Sequence, residues 1–116
     1  MDLQSKVASF YTLMAGRAPS YQEARDYFEE EVDELLEALD AYHEAGDDDR
    51  AALLHIAKEV GDVAFTLVGL CEALGIEYEE AADLVAESNL TKQPTPRGKV
   101  KKGLNYREPD MRGAVL

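Results

Sequence analysis

A chain of 116 residues fits one domain, and 46% hydrophobic with 31% charged residues is a globular composition. The net charge of −12 argues against nonspecific nucleic-acid binding, and no run of about 18 apolar residues suggests a membrane span. The single cysteine, Cys71, excludes an internal disulfide and a multi-cysteine zinc site. Because the N-terminal stretch lacks a signal-peptide pattern, we expect a cytoplasmic protein.

The charge is divided unevenly along the chain. Residues 1–91 carry 5 basic and 22 acidic side chains, a balance of −17, whereas residues 92–116 carry 7 and 2, a balance of +5. We therefore expect a single domain over residues 1–116 that consists of an acidic helical body and a basic tail. The tail either neutralises the body or helps an anionic substrate to approach it.

The first two helices are predicted from apolar periodicity and from the residues that interrupt it. A short helix over about residues 3–15 has apolar residues on one face, and Gly16 ends it. Ser20 then begins a second helix over about residues 21–45, because Glu23 completes a capping box with it.

The second half of the helical body begins with an acidic turn. Gly46 ends the second helix, and one aspartate of Asp47–Asp49 caps a third helix over about residues 50–74. The turn lacks the ligand spacing of a calcium loop. The third helix is apolar nearly all round, which is typical of a buried helix. A fourth, amphipathic helix over about residues 78–88 precedes the tail, in which residues 99–104 are a candidate extended piece.

Two carboxylates interrupt the apolar third helix. Glu59 and Asp62 are three residues apart and therefore lie on one face. Burying two unpaired carboxylates is costly, so we expect a cation between them. Lys58 lies about 100° around the helix from Glu59, and His55 is interpreted as a packing or surface residue.

The second helix offers a matching pair of carboxylates. Glu31 and Glu34 are also three residues apart, so an antiparallel hairpin would bring both pairs together. Four hard oxygen ligands suit Mg²⁺ or Mn²⁺ better than zinc. Taken alone, the acidic run around Glu31 is also typical of a solvated helix face. The predicted fold is all-α: a hairpin-based bundle of about four helices with a partly irregular basic tail, assembling as a dimer.

The segments EEEVDELLEAL and KEVGDVAFTLVGLCEALGI resemble the MazG-like, all-α nucleoside triphosphate pyrophosphohydrolases. The signature of that superfamily, E-x-x-E on one helix and E-x-x-D on the next, falls on Glu31, Glu34, Glu59 and Asp62. SNLTK and GKVKKGLNYREPDM are similar to the phosphoribosyl-ATP pyrophosphohydrolase-like group, which includes dUTP- and dCTP-cleaving members. The resemblance covers about residues 21–111.

This resemblance implies hydrolysis of a nucleotide between its α- and β-phosphates, yielding a nucleoside monophosphate and pyrophosphate. It also implies Mg²⁺, with Mn²⁺ as an alternative, at more than one ion per site. Family members assemble as tight dimers or dimers of dimers, so we expect a homodimer with a nucleotide substrate and no nucleic-acid or membrane partner. We favour a pyrimidine deoxynucleotide, dUTP or dCTP, in nucleotide-pool cleaning.

The resemblance also assigns roles to single residues. Glu30 matches the water-activating base, and the four signature carboxylates match the metal ligands. Apart from the resemblance, Tyr27 lies on the Glu31 face one turn earlier and is a candidate to stack on a base. Phe10 and Tyr11 either close a nucleobase pocket or pack in the core, and we favour the core for Phe10. The predicted substrate-binding residues of the C-terminal segment are Asn89, Lys92, Lys99, Lys102 and Tyr106.

Two alternatives stay open. Phosphoribosyl-ATP as substrate would require a site for an additional ribose phosphate, which the sequence does not identify. A noncatalytic, acidic helical interaction module would instead have Glu59 and Asp62 paired with lysine or arginine, or exposed to solvent.

Overall fold

A computed structural model of the chain describes residues 2–46, 48–96, 98 and 100–116. Within these residues the protein is all-α, as predicted, and a two-stranded antiparallel ladder pairs Gln93 with Lys101. No helix in the described ranges is long and apolar enough to cross a membrane. The elements are α1 (Leu3–Ala15), α2 (Tyr21–Ala45), α3 (Arg50–Leu74), α4 (Tyr78–Asn89), β1 (Gln93–Pro94), β2 (Val100–Lys101) and a 3-10 helix (Met111–Ala114).

Local hydrogen bonds explain where the helices begin and end. Gly16 takes a left-handed conformation with φ of 69° after α1, a conformation that favours glycine. Ser20 Oγ accepts a hydrogen bond from the Glu23 backbone N–H at 3.2 Å, and Glu23 Oε1 accepts one from the Ser20 N–H at 3.2 Å. This is the predicted capping box. Asp49 caps α3, since its carboxylate accepts a hydrogen bond from the Ala52 N–H at 2.9 Å.

The chain forms two compact units, Met1–Leu74 and Gly75–Leu116. In the first unit α2 and α3 pack along each other and α1 packs on α3. The short connection between α2 and α3 makes them an antiparallel hairpin. Val7 of α1 and Val68 of α3 are fully buried.

The expectation that α3 is buried all round is wrong for the single chain. Leu53, Leu54 and Val60 are 45%, 59% and 51% exposed. The physical reason is that α1 and α2 cover only part of the helix circumference, so an apolar stripe of α3 is left facing outward. Because single domains normally bury such side chains, an exposed apolar surface of this kind is typical of an interaction site.

In the second unit, the 3-10 helix packs on α4. The last residues of this unit are hydrogen-bonded to its first residues. The Glu77 N–H donates to the Ala114 carbonyl at 2.8 Å, and the Leu116 N–H donates to the Gly75 carbonyl at 2.8 Å. The unit includes α4, so its boundary does not coincide with the change of charge near residue 91. The single-domain description of residues 1–116 stays a prediction.

Candidate functional site

The hairpin brings together the four carboxylates of the two sequence pairs. Each of Glu31, Glu34, Glu59 and Asp62, hereafter the acidic cluster, offers one oxygen, and these oxygens all lie within 4.8 Å of one another. The spacing of three residues places each pair on one helix face, and the antiparallel hairpin turns the two faces toward each other.

The acidic cluster is partly buried and lacks sufficient positive charge. Glu59 is only 4% exposed, and among the described residues neither Glu59 Oε2 nor Glu31 Oε2 has a hydrogen-bond partner. Burial raises the pKa of the Glu31 carboxyl, and a hydrogen bond with Glu34 raises it further. The negative charges of Glu34, Asp62 and Glu59 act in the same direction. Unpartnered buried carboxylate oxygens are rare because they lose water without gaining another donor.

Lys58 and His55, both on α3, reach the acidic cluster from the same helix. Lys58 Nζ lies 2.6 Å from Asp62 Oδ2 and 3.6 Å from Glu59 Oε1. His55 Nε2 lies 3.3 Å from Glu59 Oε1. The hydrogen bond with Asp62 is the largest cause of the raised pKa of Lys58. Interpreting His55 as a mere packing or surface residue was therefore incomplete, although its spacing of four residues from Glu59 was visible in the sequence.

These contacts bear on the choice between a metal site and an acidic interaction module. The module hypothesis expected Glu59 and Asp62 to be paired with a base, and Lys58 does contact both. The pairing is incomplete, however, because one lysine faces four carboxylates and the buried oxygens of Glu31 and Glu59 stay unpartnered within the described chain. Residual negative charge at a buried site favours a cation ligand.

The donor set fits a divalent cation. Carboxylate oxygens are the ligands that Mg²⁺ and related hard ions select, and oxygens that share one Mg²⁺ stand about 3–4 Å apart. The oxygens of the acidic cluster, all within 4.8 Å of one another, are only slightly more open than this. Small side-chain rotations would therefore complete a coordination shell. The acidic cluster could hold one or more divalent ions.

A cavity of about 360 Å³, hereafter the aromatic pocket, adjoins the acidic cluster through Glu31. Phe10 is 40% exposed and makes edge-to-face contacts with Phe65 at 5.1 Å and Tyr11 at 5.2 Å between ring centroids. The prediction that Phe10 belongs to the core was therefore wrong, because α1 places it on the wall of this pocket. The other aromatic residue of the lining is Tyr27, which is 46% exposed.

Gly69 of α3 lies against Tyr11, one of the aromatic residues that line the pocket. A Cβ atom at Gly69 would stand 3.1 Å from the Tyr11 hydroxyl, so glycine permits a close approach of this ring to the helix. Burial raises the pKa of the Tyr11 hydroxyl, and the charges of Tyr27 and Glu23 add to the effect. Thr66 also lines the pocket, and its hydroxyl lies 3.1 Å from the Asp62 carbonyl within the same helix.

Glu30 has an exposed side chain on α2. It is adjacent in sequence to Glu31 and is not one of the residues of the acidic cluster. Its role as a general base stays a prediction.

The predicted substrate-binding residues of the C-terminal segment lie in the second unit. Asn89 is exposed at the end of α4, and the Lys92 N–H donates to its carbonyl at 3.1 Å. Lys102 Nζ lies 3.0 Å from Glu108 Oε1 and 4.9 Å from the centroid of the Tyr106 ring. Lys99 lies outside the described residues. Lys102 and Tyr106 therefore contact each other, and Lys102 has a carboxylate partner.

Sequence reasoning missed what Ser88 and Thr91 do in the SNLTK segment. Ser88 is buried, and its hydroxyl donates to the Arg107 carbonyl at 2.7 Å and lies 3.4 Å from the Tyr106 hydroxyl. Thr91 Oγ1 accepts a hydrogen bond from the Arg107 N–H at 2.9 Å. Both hydroxyls thus fasten the tail to α4. The sequence shows that the two residues stand three positions apart at a helix end. It does not show that their partner is Arg107, 16–19 residues away.

The hairpin gathers two carboxylates from each helix, which is the arrangement that the resemblance to the all-α nucleotide pyrophosphohydrolases implied. The chain matches the phosphoribosyl-ATP pyrophosphohydrolase family over residues 4–89. It belongs to this family, within the MazG-like superfamily, and its activity is accordingly that of a pyrophosphohydrolase. No curated protein matches the chain. The matched range includes both carboxylate pairs and ends before Lys92.

Proposed function

We propose that the protein is a divalent-cation-dependent enzyme that cleaves a nucleoside or deoxynucleoside triphosphate between its α- and β-phosphates. The supporting observation is the acidic cluster, whose oxygens lie within 4.8 Å of one another with two of its buried oxygens unpartnered in the described chain. A polyanionic substrate is repelled by such a cluster unless cations accompany it. The family membership supports the reaction class.

Glu31, Glu34, Glu59 and Asp62 would hold the ions, for which we propose Mg²⁺ or Mn²⁺ at more than one ion per site. When bound, such ions supply the charge that neutralises the phosphate chain and activates water. Glu30 would accept a proton from the attacking water, a contribution of about 10²–10⁴-fold. The water oxygen forms a bond to the α-phosphorus while the bond to the bridging oxygen breaks, and pyrophosphate leaves.

The aromatic pocket would bind the base. Base stacking on aromatic rings is tolerant of base identity, and Phe10, Tyr11, Tyr27 and Phe65 provide the rings. A volume of about 360 Å³ has room for one nucleobase. Because the chain's motifs resemble a group that includes dUTP- and dCTP-cleaving members, we propose dUTP or dCTP as the substrate, with nucleotide-pool cleaning in the cytoplasm as the role.

The basic tail is part of this proposal. Its balance of +5 over residues 92–116 would offset the repulsion between the acidic body and a nucleotide. Asn89, Lys92, Lys99, Lys102 and Tyr106 are the residues proposed to contact the substrate. Since Lys102 already pairs with Glu108 at 3.0 Å, its contact with a phosphate would require exchange of that partner.

The family match favours phosphoribosyl-ATP as a second candidate substrate. Its additional ribose phosphate requires a cationic partner. Arg17 lines the aromatic pocket, with its guanidinium 3.0 Å from Glu23 Oε1, and is the candidate for that contact. If phosphoribosyl-ATP is the substrate, Arg17→Gln should lower kcat/KM for it about tenfold or more while changing dUTP hydrolysis little.

The decisive experiment is a pyrophosphate-release screen with Mg²⁺ across canonical and modified nucleotides and phosphoribosyl-ATP. We expect the highest kcat/KM for dUTP or dCTP; a preference for phosphoribosyl-ATP would establish the second candidate instead. Thermal melting with and without Mg²⁺ or Mn²⁺ tests the ion site separately. We expect an upward shift with metal, because ligands that bind only the folded state stabilise it. If the protein shows no hydrolysis and no melting shift at millimolar metal, that result would favour the noncatalytic interaction module.

We also propose that the protein is a homodimer. Apolar side chains of the hairpin stay exposed in the single chain, and a second copy would cover them. The exposed fractions are 53% for Leu36, 42% for Leu39, 45% for Leu53, 59% for Leu54 and 51% for Val60. Light scattering should give the mass of two chains, and Leu54→Glu should reduce it to one. Leu104→Glu, at a fully exposed tail position, is the control.

A further inference from the structure

Lys58 contacts the acidic cluster only through the tip of its side chain. Its ammonium lies 2.6 Å from Asp62 Oδ2 and 3.6 Å from Glu59 Oε1, while 66% of the side chain is exposed. The stem therefore lies in solvent, and rotation about its bonds can withdraw the ammonium without disturbing the core. A lysine held in this way is a removable counterion.

The two carboxylates that hold Lys58 belong to the proposed cation site. Glu59 is 4% exposed, and its second oxygen, Oε2, is buried without a partner among the described residues. One oxygen of Glu59 and one of Asp62 lie within 4.8 Å of each other, so a divalent ion held by both carboxylates would stand close to the Lys58 ammonium. Two cations cannot share so small a space without repulsion, so they compete.

We propose that Lys58 is a positioning residue that serves as the internal counterion of the acidic cluster and leaves it when a divalent ion binds. This inference rests on the proposed cation site. Lys58 stabilises the cluster in the absence of metal and, by the same contact, weakens the affinity for metal. The site therefore binds its ions less tightly than four carboxylates alone would. When the ions dissociate, Lys58 offsets part of the repulsion among the carboxylates.

His55 is less suited to this role. Its Nε2 lies 3.3 Å from Glu59 Oε1, and its side chain is charged only when protonated. Lys58 carries its charge throughout the neutral range and contacts a carboxylate oxygen on each of Glu59 and Asp62. The exchange between protein cation and metal therefore centres on Lys58.

The test is calorimetric titration of Mn²⁺ alone into the full chain. We expect Lys58→Gln to bind Mn²⁺ about fivefold or more tightly than wild type, in the range of ordinary coupling effects. In EDTA the same variant should melt at a lower temperature than wild type. Lys58→Arg, which keeps the charge, should remain near the wild-type affinity. Arg50→Gln loses the same charge about 12 Å along the same helix and should change the affinity less than twofold.

The outcomes separate this inference from the proposed function. If wild type binds Mn²⁺ and releases pyrophosphate while Lys58→Gln binds Mn²⁺ equally or less tightly, the counterion role is overturned and the enzyme proposal stands. If wild type binds no Mn²⁺, the cation site and the counterion role are overturned together. Circular dichroism of each variant confirms that the fold is retained, and Lys58→Met provides a second neutral variant should Lys58→Gln fail to fold.

Discussion

Charged side chains of the tail and of the acidic cluster have different surroundings. In the tail, which lies in the unit Gly75–Leu116, Lys102 pairs with Glu108 and Arg112 pairs with Asp110. In the hairpin, four carboxylates share Lys58 and His55, and two of their buried oxygens lack partners in the described chain. Paired surface charges contribute little to the stability of the fold and require no ligand. Unpaired buried charges, in contrast, occur where a ligand supplies the opposite charge.

The largest effect is expected from removing charge within the acidic cluster. Glu59→Gln should lower pyrophosphate release by more than about 10²-fold, because a ligand lost from a metal site costs at least as much as a supporting residue. The fold should be retained or stabilised, since like-charge repulsion is relieved. Steady-state kinetics and thermal melting measure both effects.

Glu44→Gln, at an exposed position of α2, is the matched control for Glu59→Gln and should leave turnover unchanged. Retained turnover in Glu59→Gln, or collapse of its fold, would remove the contrast between a ligand-binding cluster and a structural one.

The next effect concerns Glu30, the exposed carboxylate that is adjacent in sequence to Glu31 of the acidic cluster. Glu30→Gln should lower kcat by about 10²–10⁴-fold and leave Mn²⁺ binding unchanged, because Glu30 is proposed to move a proton and not to hold metal. Glu37→Gln, two helical turns further along α2 on nearly the same face, controls for the lost charge. Wild-type turnover in Glu30→Gln would exclude it as the base.

In the second unit, a stability effect is expected from a hydrogen bond. Ser88→Ala removes the buried hydroxyl that bonds the Arg107 carbonyl at 2.7 Å and should destabilise this unit by about 1–3 kcal/mol. Hydrogen exchange at the Thr91–Arg107 contact should accelerate. Asn89→Ala, at the exposed neighbouring position, should leave exchange unchanged and raise KM. The reverse pattern would assign the substrate contact to Ser88 and the structural one to Asn89.

The smallest effect is the pH dependence of the metal-free protein. Burial raises the pKa of Glu31 above its ordinary value of 4.5, with Glu34 adding to the shift. Such a carboxyl stabilises the fold fully below its unfolded pKa, and the contribution is lost as the pH rises through the folded pKa. In EDTA, wild type should therefore lose stability relative to Glu31→Gln as the pH increases above 4.5. Melting temperatures across that range measure the difference, and a constant or shrinking difference contradicts the assignment.

Short-range interactions were readable from the sequence. The capping box of Ser20 and Glu23, the stop at Gly16 and the spacing of each carboxylate pair depend on residues within four positions of one another. The antiparallel hairpin followed from a short acidic turn, so the gathering of the acidic cluster was predictable as well. The pairing of Lys58 with Asp62 has the same short range. It was not predicted, because the positive charge next to these carboxylates was assigned to a metal ion alone.

The tertiary structure alone decided the contacts between distant residues. Phe10 lies on a pocket wall because α1 rests on α3, where Phe65 contacts Phe10 and Gly69 lies against Tyr11. Ser88 fastens a tail segment 19 residues further on, a pairing that no periodicity encodes. The apolar side chains of α3 are exposed because two neighbouring helices cannot surround a third. Sequence determined which residues share a helix face, and only packing determined what each face meets.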